Sequence, residues 1–252
     1  MPITDVTKIR ILNKLGLSNI IRFYYFRYHP LNKKSYLFYQ QFIKPGDLCF
    51  DIGANIGIKT DLFLRLGAKV VAVEPQKDCF NFILRNLGNN TALTVVNKAV
   101  DAVMEEKAFY VCEANALSTL SPEWIASVQQ SGRYKDYAWG KFYKVQTTTL
   151  DELIKEFGCP VFCKIDVEGC EEYVFKGLSR PIPLLSFEVS PETMSSVIKC
   201  IDYIKRLGEV KFNFCWESQG MYFPKWLRDF ELLDYFKENS NQIYGDCYVR
   251  IV

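Results

Sequence analysis

The sequence predicts an α/β fold: a doubly wound, mostly parallel seven-stranded sheet with an antiparallel terminal strand pair. Three observations predict it. Apolar strand-like runs alternate with helical stretches, a glycine-rich turn follows the first strand, and the downstream strand ends carry the acids Asp51, Glu74, Asp166, Glu168 and Glu188. Strands joined through helices make right-handed crossovers, and hence a parallel sheet with helices on both faces.

Residues 1–45 form a preamble rich in aromatics and bases (Arg22-Phe-Tyr-Tyr-Phe-Arg-Tyr-His29), read as one or two helices, and residues 46–252 form the main domain. Lys44-Pro-Gly-Asp47 marks the boundary. Residues 48–50 make a short apolar strand and 51–57 a glycine turn; Ile58, Leu62 and Leu66 then recur at helical spacing until Gly67 closes the helix. The unit repeats: residues 70–73 are a buried strand ending in Glu74-Pro75, Phe80, Ile83, Leu84 and Leu87 make the next helical face, and residues 93–97 are a third strand. Between about 101 and 149 the rhythm changes to two strand-like runs, 108–112 and 142–145, around a polar, Trp-bearing segment, which predicts an insertion or cover.

The alternation resumes at Leu150, which opens a helix ending at Gly158. Residues 161–166 are a fourth strand leading to Glu168-Gly169 and a helix closed by Gly177; residues 184–189 are a fifth. Ser190 is a natural N-cap with Pro191 at the first helical position, and Met194, Val197, Ile198, Ile201 and Ile204 line the buried face of that helix. The last apolar runs, 210–216 and 243–251, have no helical rhythm between them and predict the antiparallel pair.

Composition excludes several classes. Apolar residues make up 49% and charged residues 24%, which is globular and argues against disorder. Lys and Arg total 31 against 29 Asp and Glu, without a basic stripe to track a phosphate backbone, so nucleic acid is disfavoured as a partner. No run approaches the roughly 20 apolar residues a membrane span needs, and Met-Pro-Ile-Thr-Asp does not open a secretory leader, so a cytoplasmic location is expected. The nine cysteines are odd in number and scattered, and they read as reduced, mostly buried thiols. Zinc would want histidines, and His29 is the single one; no metal ligand set is assigned.

A glycine turn after the first strand with an acid ending the second suits a dinucleotide or an adenosylmethionine site. The dinucleotide fingerprint needs Gly-x-Gly-x-x-Gly, and counting from Gly53 the other two positions are Asn55 and Ile58. A cofactor without phosphates needs close backbone approach at one or two glycines and an acid near its positive groups, which Asp51, Gly53 and Gly57 offer. Glu74, at a strand tip, is placed to accept both hydroxyls of a ribose. The competing reading is a generic strand-helix turn beside a stray acid. Lys164 sits in a strand whose neighbours say buried, so it must be paired or neutral: it pairs with a strand-end carboxylate, or it orients the acceptor or its base. In the cover, Ser118, Trp124, Arg133, Tyr134 and Trp139 are candidates for holding a hydroxylated ring.

Seven segments in order resemble the FkbM-type methyltransferases, a Rossmann-like class I branch of the adenosylmethionine-dependent enzymes. They are Phe50-Asp-Ile-Gly-Ala-Asn-Ile-Gly57, Val73-Glu-Pro75, Asn97-Lys-Ala-Val100, Ser118-Thr-Leu120, Thr148-Thr-Leu-Asp-Glu-Leu153, Lys164-Ile-Asp-Val-Glu-Gly169 and Phe187-Glu-Val189. The resemblance implies S-adenosylmethionine as cofactor and O-methylation of a hydroxyl on a small-molecule or glycan acceptor, such as a sugar or natural product. It implies that Asp51, Gly53, Asn55, Gly57 and Glu74 hold the cofactor, with Asp166, Glu168 and Glu188 at the acceptor side; Ala54, Pro75, Asn97, Ala99 and Asp166 are further cofactor-binding candidates, and Lys164 joins Asp166, Glu168 and Glu188 as a catalytic candidate. Beyond Glu192 and within the preamble it adds nothing, so the acceptor and the oligomeric state stay open.

Methyl transfer from a sulfonium is an in-line displacement that needs alignment, exclusion of water and a base for the hydroxyl proton. Asp166 is the expected base; its intrinsic pKa of about 3.9 is low, but crowding by Glu168 and Glu188 would raise one of the group. Two alternatives are a metal-dependent O-methyltransferase with Mg²⁺ on Asp166, Glu168 and Glu188, and a non-catalytic binding protein. A nucleic-acid amino-methyltransferase would want Asn-Pro-Pro-Tyr where this chain has Asp166-Val-Glu-Gly.

Overall fold

Helices α1 (Ser18–Tyr28) and α2 (Pro30–Tyr39) precede the first strand. The computed structural model describes residues 17–28, 30–216, 220–240 and 242–252, so the readings made on residues 1–5 and on His29 lie outside the described residues. Phe38 and Tyr39 of α2 are buried against the main sheet, which makes the described preamble part of the sheet's covering rather than an appendage.

The first half of the sheet alternates as the sequence predicts: β1 (Leu48–Ile52), α3 (Ile58–Arg65), β2 (Lys69–Val73), α4 (Lys77–Leu87) and β3 (Leu93–Val96). The buried face of α4 is Cys79, Phe82, Ile83 and Leu87, whereas Leu84, expected inside, is exposed. The cover follows as β4 (Ala99–Val100), β5 (Glu106–Val111), α5 (Pro122–Gln130) and β6 (Lys141–Thr148), whose strands make a separate sheet in the order β4-β6-β5. The second half contains α6 (Leu150–Phe157), β7 (Phe162–Ile165), α7 (Glu171–Lys176), β8 (Leu184–Val189), α8 (Met194–Ile204), β9 (Val210–Cys215), α9 (Asp229–Glu238) and β10 (Gly245–Ile251). Ser190 and Thr193 cap each other reciprocally and Pro191 opens a single 3₁₀ turn before α8; Ile198, expected inside, is exposed.

Strand order in the main sheet is β3-β2-β1-β7-β8-β10-β9. β10 runs antiparallel to both β8 and β9, so the last strand wedges in between them and is the one reversed strand. Helix α9, in the connection between these strands, is not foreseen in the sequence. Its apolar residues Phe230, Leu232, Leu233, Tyr235 and Phe236 crowd most of its circumference, hiding a buried stripe that reduces to Leu232 and Phe236.

Period-two alternation sorts the strands onto two faces. Phe50, Ile52, Cys163, Ile165, Phe187, Cys247 and Val249 join the larger core beneath α7, α8 and α9. The opposite face carries Cys49, Phe162 and Tyr248 in a second core with α2 and α3, and also a polar row in register across the sheet: Asp51, Lys164, Ser186, Tyr248 and Asn213. No disulfide links the nine cysteines, and all but Cys159 are buried. Among the described residues no helix is long and apolar enough to cross a membrane.

Candidate active site

Strand order reverses around β1, which has β2 on one side and β7 on the other, and ligands of such sheets bind beyond the strands' carboxyl ends at that point. A cavity of about 900 Å³ opens there. Gly53 is in the left-handed region (φ 79°), and a Cβ on it would lie 1.8 Å from the Asp166 carbonyl oxygen, so only glycine lets the turn leaving β1 run beside the end of β7. Asn55 (φ 51°) and Gly57 (φ 79°) are also left-handed, the former a residue type that tolerates it.

Glu74 emerges at the tip of β2 and is almost wholly buried. Its two carboxylate oxygens accept the backbone N–H groups of Asn55 and Gln76, each at 2.7 Å, which fixes the carboxylate while leaving lone pairs toward the cavity. Burial pushes its pKa up to about 7, against the opposing pull of those two N–H groups. Asn97 does not line the cavity; its side-chain amide donates to the carbonyls of Glu74 and Pro75 at 2.8 and 3.1 Å and holds the turn in place. Gly57 likewise stands back, with α4 under it; Ala54, Asn55, Pro75 and Ala99 do line the cavity.

At the switch point Asp51 accepts the Thr60 hydroxyl at 2.6 Å, and Lys164 Nζ lies 2.5 Å from Asp166 Oδ2. Burial alone would discharge Lys164, but Asp166, Asp246 and Asp51 outweigh it and hold the ammonium above its ordinary range. Burial raises the Asp51 and Asp246 carboxyls, with Lys164 the largest opposing influence on each. Lys164 is therefore paired, the first of the two roles its sequence position allowed, and it is the hub of three carboxylates.

The far end of the cavity is acidic. Carboxylate oxygens of Asp166, Glu168 and Glu188, all half-buried, lie within 4.8 Å of one another. Withdrawal from water raises the Glu168 and Glu188 carboxyls well above the usual range; Glu188 reinforces this at Glu168, Asp166 at Glu188, and Arg133 opposes it at both. Glu168 itself has positive φ (53°), strain that its surroundings must hold. They do so through the cover: Thr119 Oγ1 donates to the Glu168 carbonyl at 2.7 Å, and the Trp124 ring packs where a Cβ on Gly169 (φ 86°) would be 2.4 Å away.

The cover's candidate residues separate. Ser118 and Arg133 line the cavity, Arg133 also pairing with Glu192 at 3.2 Å and stacking 3.8 Å over Tyr244. Trp124, Tyr134 and Trp139 do not; they build the cover's own small core with Leu117 and Val128, because their rings have nowhere else to escape water. Sequence reasoning missed Arg22 and Tyr25 of α1, Lys59, Tyr244 and Asp246, which also line the cavity. Asp246 alone carried a signal, an acid opening the last strand; the others arrive by chain packing.

A seven-stranded sheet with its last strand reversed, a glycine turn after β1 and a buried acid at the tip of β2 together define the class I methyltransferase fold. Residues 51–215 match the Methyltransferase FkbM domain, and the chain belongs to that family. Methyltransferase sdnD of Sordaria araneosa is 31% identical over 156 residues, 52% of this chain and 60% of that protein, so the chain spans less than two thirds of that relative's length. Among solved structures, precorrin-6y C5,15-methyltransferase of Geobacter metallireducens GS-15 is similar with TM-score 0.42 and 11% identity, covering 86% of this chain and 84% of that one. The O-methyltransferase of Bacillus cereus in complex with SAH is similar with TM-score 0.40 and 12% identity, covering 100% and 94%. The cofactor is S-adenosylmethionine, and the donor set fits it: a fixed, buried carboxylate at Glu74 for ribose hydroxyls, a side-chain-free approach at Gly53, and acids for the ammonium and sulfonium.

Proposed function

We propose that this chain is an S-adenosylmethionine-dependent O-methyltransferase acting in the cytoplasm on a hydroxyl of a sugar, glycan or small natural product. The observation that carries the reading is one cavity with Glu74 toward one end and the half-buried Glu168 and Glu188 at the other, room enough for a cofactor and an acceptor together. When bound, the cofactor supplies an electrophilic methyl group on its sulfonium. Glu74 holds the ribose, Gly53, Ala54 and Asn55 offer backbone to the methionyl part, and Arg133 with Ser118 bounds the acceptor space beneath the cover, which excludes water.

The base is the Glu168–Glu188 pair rather than Asp166. Asp166 is tied to Lys164 in an ion pair, whereas withdrawal from water and mutual crowding raise the carboxyls of the two glutamates, which strengthens them as bases. A carboxylate oxygen of that pair would take the acceptor's hydroxyl proton. Cysteines without disulfides accord with a reducing compartment.

Incubation with ¹³C-methyl-labelled S-adenosylmethionine and a panel of glycans and hydroxylated small molecules, read by NMR, tests the reading. A label on oxygen, lost in Glu188→Gln with S-adenosylhomocysteine binding intact, is the expected result; a label on nitrogen or carbon sinks it. The close approach of Asp166, Glu168 and Glu188 favours a second reading, Mg²⁺ assistance. Abolition of turnover by EDTA and its restoration by Mg²⁺ would select that version.

A further inference from the structure

One face of α1 is built inward: Phe23 packs on Phe82, Asn19 accepts from the Asn115 side chain, and Arg22 and Tyr25 line the cavity. The other is a stripe of exposed apolar side chains at helical spacing, Leu17, Ile20, Ile21, Tyr24 and Tyr28. On α2, exposed Lys33, Lys34 and Leu37 fall at the same spacing. Single exposed apolar residues need no explanation, but four on one face of one helix, with Leu17 just ahead of it, do.

Charge identifies what such a face meets. Residues 1–45 hold eight of the 31 lysines and arginines but only one of the 29 acids, so the remainder of the chain is net acidic. An anionic surface attracts this end and repels the rest, which orients the molecule as well as holding it. A second copy meeting the first through the same face would set two basic segments against each other. Tyrosines and branched aliphatics outward on α1, with the exposed lysines Lys33 and Lys34 on the next helix, are the pattern that lies in a lipid headgroup layer.

We propose that α1 and α2 dock peripherally on an anionic bilayer surface, with the stripe entering the headgroup layer and the cavity beside it. The inference does not depend on the chemistry proposed above, since its test reads binding alone. The full-length chain is co-sedimented with vesicles of phosphatidylcholine and with vesicles of phosphatidylcholine and phosphatidylglycerol in equal parts. Binding to the mixed vesicles and not to pure phosphatidylcholine is expected. The double variant Ile20→Glu, Tyr24→Glu should lose it while keeping its S-adenosylhomocysteine affinity and unfolding temperature. Lys33→Gln, Lys34→Gln, at exposed positions that leave the fold untouched, should weaken partitioning on the order of 30-fold. No binding to mixed vesicles, or undiminished binding by both variants, overturns the proposal. So does a dimer in sedimentation velocity that Ile20→Glu, Tyr24→Glu dissociates, which would assign the stripe to a second copy.

Discussion

Replacing Glu74 by Gln changes one atom and leaves the volume of the site intact, so it isolates what the carboxylate does. In the wild type each oxygen accepts a backbone N–H at 2.7 Å, from Asn55 and Gln76. The amide can satisfy only one of them and turns an NH₂ group toward the other. Hydrogen bonds to a charged acceptor contribute about 1.5–3 kcal/mol each, and the substitution weakens those to a ribose while setting donor against donor in the turn. The loss in S-adenosylhomocysteine affinity is therefore about 2–4 kcal/mol, or roughly 30- to 700-fold in Kd. Isothermal titration calorimetry on both proteins, with unfolding temperatures measured alongside, checks this. A Kd within threefold of the wild type in a folded Glu74→Gln protein would refute the assignment of Glu74 to the cofactor.

Ligand-free stability should fall as pH rises from about 4.5 to 7, because Glu74 and Glu171, both raised by burial to about 7, bind their protons more tightly folded than unfolded. Each contributes at most about 3 kcal/mol across that window, and Glu171→Gln should flatten the profile of unfolding temperature against pH; an unchanged slope would count against the buried-carboxyl account. Lys164→Met leaves Asp51, Asp166 and Asp246 without their shared cation and should cost about 3–5 kcal/mol in denaturant unfolding; a loss below 1 kcal/mol would show that the ammonium is not the hub described. Gly169→Ala drives a methyl into the Trp124 ring from a left-handed backbone, so kcat should drop on the order of tenfold or more while S-adenosylhomocysteine still binds. Equal loss of both would place the effect on the whole fold rather than on the cover and the Glu168 turn.

Much of this protein is readable along the chain, because local rules decide it. The near-continuous apolar runs at 48–52, 70–73 and 184–189 must bury both faces and therefore become central strands, and a glycine at 53 is required where the ends of two strands converge. Acids at strand tips follow from the same reading, which is why Asp51, Glu74, Asp166, Glu168 and Glu188 all fall around one cavity. The indole rings of Trp124 and Trp139 illustrate the limit: their types suit a ring-binding pocket and a hydrophobic core equally, and only the closing of the cover sends them to the core.

The tertiary structure decided what depends on distance between remote segments. Asp246 adds its charge to the surroundings of Lys164 because β10 inserts beside β8, a choice made by sheet closure and invisible in either segment alone. Arg22 and Tyr25 reach the cavity because α1 packs across it through Phe23. How tightly Glu168 and Glu188 hold their protons follows from burial and from the charges that packing sets beside them. A sequence specifies which groups can carry charge, but water exclusion and neighbouring charge, both properties of the packed molecule, set how tightly each holds its proton.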